Sequence, residues 1–222
     1  MKRVCTLISA LLICLVTSAK KADNATIERD STAIYQGMNV KLDLATSILE
    51  LARYKGDVQS YEIAANVNLK NRFFPTLELG YGSCNQSLDN ANFNGKGGFG
   101  RVGLDMSALR KSGPHNMLLV GIRVGTAVQG VKMHNISVSD PYWQQYTARD
   151  YNLFTRTDVW GEVVAGVQVQ VYKNFHMGWF ARLKFLFTRD NKNKTITAYY
   201  IPGYGYKQDT NWGVNYYIGL NF

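Results

Sequence analysis

Apolar and polar residues take turns along most of the chain, and a period of two is the signature of a strand with two different faces. The last stretch is the clearest: Trp212, Val214, Tyr216, Ile218, Leu220 and Phe222 alternate with Asn211, Gly213, Asn215, Tyr217, Gly219 and Asn221. Before it, Met177, Trp179, Ala181, Leu183 and Phe185 alternate with His176, Gly178, Phe180, Arg182 and Lys184. A valine run (Val159, Val163, Val167, Val169, Val171) alternates with Glu162, Gln168 and Gln170. Five earlier segments repeat the pattern around Val40, Ile63, Leu79, Leu104 and Ile122. Eight strands are therefore expected.

The links between them are unequal. Three of them (71–75, 107–116 and 173–175) are fairly short, and three of the other four (53–59, 83–98, 129–158 and 188–211) are long. Short turns on one side and long loops on the other, with an even strand number, form the pattern of an outer-membrane barrel. The expectation is an all-β, eight-stranded, antiparallel, up-and-down transmembrane β-barrel over residues 35–222.

The two faces differ in chemistry. One is broad, apolar and nearly free of charge, as lipid demands, because charging a lipid face costs about 2–4 kcal/mol at mid-membrane. The other carries Lys41, Asp43, Glu62, Glu78, Arg101, Asp105, Arg123, Glu162, Arg182 and Lys184, five bases and five acids. Buried charge must be compensated, and an eight-stranded barrel is just wide enough to be filled by its own side chains. A polar, side-chain-filled lumen follows. Tyr61, Tyr81, Tyr172, Trp160, Trp179, Trp212 and Phe222 suit the aromatic girdles at the two interfaces.

The N-terminus carries an address. Lys2 and Arg3 precede an apolar run from Val4 to Val16, and Thr17-Ser18-Ala19 offers small residues for cleavage. Residues 1–19 read as a cleaved Sec-type secretory signal and residues 20–34 as a periplasmic lead-in. A lipoprotein signal at Cys14 is disfavoured, since Ile13 precedes it. Cleavage leaves Cys84 as the one cysteine, so no intramolecular disulfide is expected.

Composition changes the picture little. The chain has 14 Tyr, 10 Phe and 20 Gly beside 4 Pro, which favours strands and turns. The formal charge of +9 falls by the two of Lys2 and Arg3 to +7. The bases are scattered and form no stripe, which argues against nucleic acid and for an anionic membrane surface.

The terminal Trp-x-Val-x-Tyr-x-Ile-x-Leu-x-Phe, ending on Phe222, resembles the last strand that barrel-assembly machinery recognises in Gram-negative outer-membrane proteins. With the signal, the stretches Gly-Arg-Val-Gly-Leu-Asp (100–105) and Met-Leu-Leu-Val-Gly-Ile-Arg-Val-Gly (117–125) resemble an uncharacterised Bacteroidota family of small outer-membrane barrels. The resemblance implies location and carries no catalytic residue.

Candidate chemistry is thin. His115, His134 and His176 lack metal-ligand spacing, so no metal or cofactor is expected. His134 near Ser137 and Ser139 keeps a lipid-modifying enzyme as an alternative. A soluble ligand-binding barrel and a narrow pore are the others. The run 95–100 (Gly-Lys-Gly-Gly-Phe-Gly) lacks the context of a phosphate loop and reads as a loop-to-strand junction. Tyr142, Trp143, Tyr146, Tyr151 and Phe154 in the link 129–158 form the candidate contact surface for an unidentified surface partner.

Overall fold

A computed structural model describes residues 34–44, 57–88, 91–108, 116–139, 146–188 and 199–222; for 88, 91, 135–139 and 146–154 it describes the backbone alone. The signal, nearly all of the lead-in and His115 lie outside the described residues, as do Tyr142 and Trp143. Tyr146, Tyr151 and Phe154 are described by backbone only.

Eight antiparallel strands close into one barrel: β1 (Tyr35–Asp43), β2 (Val58–Leu69), β3 (Phe73–Leu88), β4 (Ala91–Ser107), β5 (Asn116–Ser139), β6 (Tyr146–Tyr172), β7 (Phe175–Leu186) and β10 (Thr210–Asn221). The order round the wall follows the chain, and β1 closes on β10 with Val40 opposite Leu220 and Leu42 opposite Ile218. Between β7 and β10 a small hairpin, β8 (Tyr200–Ile201) with β9 (Gly205–Tyr206), forms a sheet of its own outside the wall's strand ladder.

The two ends of the barrel differ. At one, β2 turns into β3 through Lys70 and Asn71, both at positive φ (53° and 51°), with Arg72 N donating to Leu69 O at 3.1 Å. Positive φ at both central residues gives the turn 69–72 the primed form that matches strand twist, and Arg72 completes a three-residue link before Phe73 pairs with Leu69. Asn68 braces the turn, its Oδ1 accepting from Asn71 N at 2.9 Å. A second tight turn at Lys173 and Asn174 joins β6 to β7. At the other end β3 to β6 run on as long hairpins.

That extension corrects the sequence reading. Links 83–98 and 129–158 are mostly strand: β3 pairs with β4 out to Leu88 opposite Ala91, and β5 with β6 out to Ser139 opposite Tyr146. The glycines at 95, 97, 98 and 100 obscured the alternation. Gly97 is in the wall because a Cβ there would lie 2.6 Å from Gln129 Cα on β5. The run 95–100 is thus mid-strand and not a junction.

Burial alternates along most of the wall, and it sorts the faces by chemistry. Leu42, Ile63, Leu79, Val102, Leu104, Ile122, Val163, Trp179 and Leu220 are exposed outside; Lys41, Glu62, Glu78, Arg101, Arg123, Glu162 and Arg182 are buried inside. A water-soluble domain of this size would hide the first group and solvate the second. Tyr61, Tyr81, Trp179 and Trp212 stand on the outer face, and Tyr172 and Phe222 are exposed at the tight-turn ends of their strands. Trp160 does not. It shares the parity of Glu162, points inward and is 0% exposed, so its assignment to a girdle is withdrawn.

Candidate functional site

Inward residues on successive strands read apolar, charged, apolar. On the tight-turn side of the charges, above the buried polar residues Asn39, Asn66, Asn68 and His176, lies a layer of Ala64, Phe74, Met117, Leu119, Val164, Phe180 and Tyr217. Toward the long hairpins lies another, of Phe99, Ala127, Trp160, Ile201 and Tyr204, with Val58, Cys84, Phe93, Val131 and Tyr200 above it. The main charge cluster is held between them, while Asp158, buried and paired with Arg156, lies further out, level with Ala127.

Three arginines organise that middle layer. Arg101 Nη1 donates to Glu62 Oε2 at 2.7 Å and to Glu78 Oε2 at 2.9 Å, and its Nε lies 2.9 Å from Glu162 Oε1. Arg182 donates to Glu78 at 2.8 and 3.0 Å, to Glu162 Oε2 at 2.9 Å and to Glu62 Oε1 at 3.2 Å. Arg123 pairs with Glu78 and reaches Asp105 Oδ2 at 2.9 Å. Glu78 therefore accepts from all three guanidinium groups. Every side chain in these pairs is at most 3% exposed. Charges so deeply desolvated persist only when their remaining lone pairs and protons are also satisfied. Tyr217 OH supplies one such bond to Glu62 Oε1 at 2.5 Å and accepts from Arg182. Trp160 Nε1 donates to Glu162 Oε1 at 2.7 Å, and Thr76 Oγ1 to Asp105 Oδ2 at 3.2 Å.

The other charges of this face lie at its margins. Lys41 Nζ donates to Gln168 Oε1 at 2.7 Å, and Asn215 Nδ2 donates to Asp43 Oδ2 at 2.6 Å. Lys184 reaches upward and donates to the carbonyls of Gly203 at 2.7 Å and Tyr204 at 3.2 Å. All ten charged residues singled out in the sequence thus face one interior.

Room for these long side chains comes from small residues set opposite them. Arg123 is paired with Gly103, where a Cβ would lie 2.4 Å from Arg123 Cγ. Gly125 faces Trp160, whose indole would be 2.4–2.7 Å from an added Cβ.

Residues 199–209, ahead of β10, fold into the mouth as a plug. Arg101 Nη2 donates to Gly203 O at 2.6 Å, so a charged residue of the middle layer also holds the hairpin. Ile201 and Tyr204 are buried, and Tyr204 meets Trp160 edge to face at 5.8 Å. Tyr204 OH donates to Gln208 O at 2.5 Å. Burial, with the Asp209 carboxylate nearby, pushes this phenol up to about 12.

Sequence reasoning missed Tyr217, Trp160, Thr76 and Gln168 as partners of the charges. Parity was available for all four, since each shares its strand's inward face with a charged or buried polar residue. The plug left no periodic signal. His134 is partly buried near the end of β5, and the side chains of Ser137 and Ser139 are not described. Among the described residues no group of three or more His, Cys, Asp or Glu is placed to hold a metal ion.

This arrangement defines a class: a closed eight-stranded barrel with an apolar outer face and a charged interior. The chain belongs to the family DUF6048, a domain of unknown function, whose sequence profile matches residues 2–221. No curated protein matches the sequence. Among solved structures it is similar to Ail, the attachment invasion locus protein of Yersinia pestis, crystallised with the heparin analogue sucrose octasulfate. That likeness has a TM-score of 0.43 and 10% identity, over 84% of this chain and 99% of the other. It is also similar to the N-terminal β-barrel domain of Pseudomonas aeruginosa OprF, with a TM-score of 0.37 and 12% identity, over 85% of this chain and 99% of that one.

Proposed function

We propose that this protein is an integral outer-membrane barrel of a Gram-negative bacterium (a Bacteroidota member, by the sequence resemblance), exported by the signal at 1–19. Its role on this reading is structural or in surface interaction, without catalysis or conduction. The observation that carries the reading is the inversion of faces: an apolar belt outside and desolvated ion pairs inside. On β5 the belt runs from Leu118 to Val128, which at about 3.3 Å per residue and the usual tilt spans about 25 Å, the height of a lipid-facing band. Closure pairs every wall strand with two neighbours, as lipid requires. Phe222 fits the assembly-machinery reading, since it directly follows the strand that seals the barrel, exchanging bonds with Met38 at 2.8 and 3.0 Å.

Absence of conduction is supported by the two apolar layers that bracket the charges. Absence of catalysis is supported by the same geometry, because Glu62, Glu78 and Glu162 are committed to guanidinium groups away from any mouth. The surface role is assigned to the β5–β6 hairpin, whose pairing continues well beyond the last β7 partner at Trp160. Its aromatic residues Tyr142, Trp143, Tyr146, Tyr151 and Phe154 are the proposed contacts.

Cell fractionation with detergent extraction, then gel mobility with and without boiling, tests the location. Outer-membrane recovery with heat-modifiable mobility is expected, and recovery as a soluble periplasmic protein would overturn the reading. Planar-bilayer recordings should show no steady conductance. Deleting residues 136–149 should leave a folded, heat-modifiable barrel; loss of folding would make that hairpin core and not display.

A further inference from the structure

An apolar groove of about 630 Å³ is cut into the outer face of the wall, lined by Val102, Leu104, Ile122, Val124, Phe185 and Phe187. Its floor is thinned by Gly161 on β6. Along β4 toward the long-hairpin rim, the outward positions after Val102 are Gly100, Gly98 and Lys96. Tyr81 and Val128 flank Gly98 from the neighbouring strands. A Cβ at Gly98 would meet nothing nearer than 3.8 Å and one at Gly100 would touch Leu79 Cδ2 at 3.4 Å, so the track is shallow, narrowed at Gly100 and open at Gly98.

At the rim the track meets charge. Lys96 is paired with Gly130 and Lys132 with Asn94, which sets the two lysines on one face as diagonal neighbours about 7–8 Å apart. Both are exposed. Among the described side chains the outward face of β3–β6 carries these two cations and no carboxylate. Above and beside them the wall presents Asn85, Ser87, Asn92, Asn94 and Thr155, an amide and hydroxyl surface.

We infer that this face binds one phosphorylated, multiply acylated glycolipid of the outer leaflet. The groove takes an acyl chain, Lys96 and Lys132 take phosphate, and the amide-rich wall takes the sugar. A glycerophospholipid would use the first two features and leave the third idle. The inference rests on the outer-membrane reading, which places the long-hairpin rim at the outer leaflet.

The test is native mass spectrometry of the full chain, folded in detergent and first checked for heat-modifiable mobility. The probes are purified bisphosphorylated lipid A, its dephosphorylated form, and phosphatidylglycerol. Bisphosphorylated lipid A should be retained about ten-fold better than either comparator, and Lys96→Ala with Lys132→Ala should remove that preference. Val124→Trp, which fills the groove with apolar volume, should weaken retention of all three acylated probes. Equal retention of lipid A by wild type and the double lysine variant would overturn the inference, as would phosphatidylglycerol bound equally well. A chain with no heat-modifiable barrel would instead count against the outer-membrane reading itself.

Discussion

The middle of the lumen and its long-hairpin mouth are filled by opposite means. In the middle, three arginines and four carboxylates are locked together with both partners on the wall itself. At the mouth, a segment that is not part of the wall inserts Tyr200, Ile201 and Tyr204 against Phe99, Trp160 and Phe93. The first fill comes with the strands and cannot leave. The second is attached by apolar packing and by carbonyls that accept from Arg101 and Lys184, so it can be weakened without touching the wall. The difference teaches where this barrel tolerates change.

The largest effect is expected at Glu78. Glu78→Leu leaves three guanidinium groups short of an acceptor in a desolvated layer, and should cost about 3–5 kcal/mol. Urea titration of the barrel folded into lipid vesicles would measure it; a midpoint unchanged within error would show that water enters the layer freely. Second is Ile201→Ala in the plug, expected to cost about 2 kcal/mol or more locally. Its signature is faster proteolysis of the β7–β10 link with the urea midpoint of the wall nearly unchanged. A matching fall of both would mean that plug and wall unfold as one unit, and the comparison would collapse.

Third is Gly125→Ala, which forces Trp160 to shift and should cost about 1–3 kcal/mol by overpacking. Because Trp160 touches both regions, it should lower the midpoint and loosen the plug together, and tryptophan fluorescence would follow the displaced indole. The smallest effect is a pH dependence. Tyr204 is raised in the folded plug above its usual value of 10, so the unfolded phenol ionises first. Protection of the link should be complete below about pH 10 and be lost as pH rises through about 12. Tyr204→Phe should abolish that dependence, which ultraviolet absorbance of the phenolate and tryptophan fluorescence would follow over the same range.

Strand number, face assignment and the ten inward charges were legible because each rests on a local rule. A period of two separates the faces of any strand, and the contents of each face then say which side meets water or lipid. Trp160 was misassigned by composition against parity: tryptophan suits a girdle, but its place two residues before Glu162 puts it indoors. The Gly95 to Gly100 run was misassigned for the opposite reason. Glycine has no side chain to show which face it belongs to, so a strand rich in it looks like a loop.

What the sequence by itself determined is therefore the wall, meaning its eight strands, its apolar outside and a charge-balanced inside. What only the tertiary structure decided is which charges meet and what fills the mouth. Glu78 and Arg182 lie 104 residues apart and are joined because closure brings β3 and β7 across one narrow lumen. Tyr-Ile-Pro-Gly-Tyr at 200–204 has no period to mark it, and it turns inward because the cavity bounded by Phe99, Trp160 and Phe93 offers it burial. Pairings across a barrel and the seating of an aperiodic segment depend on the shape of the closed wall, and that shape exists only once all eight strands have met.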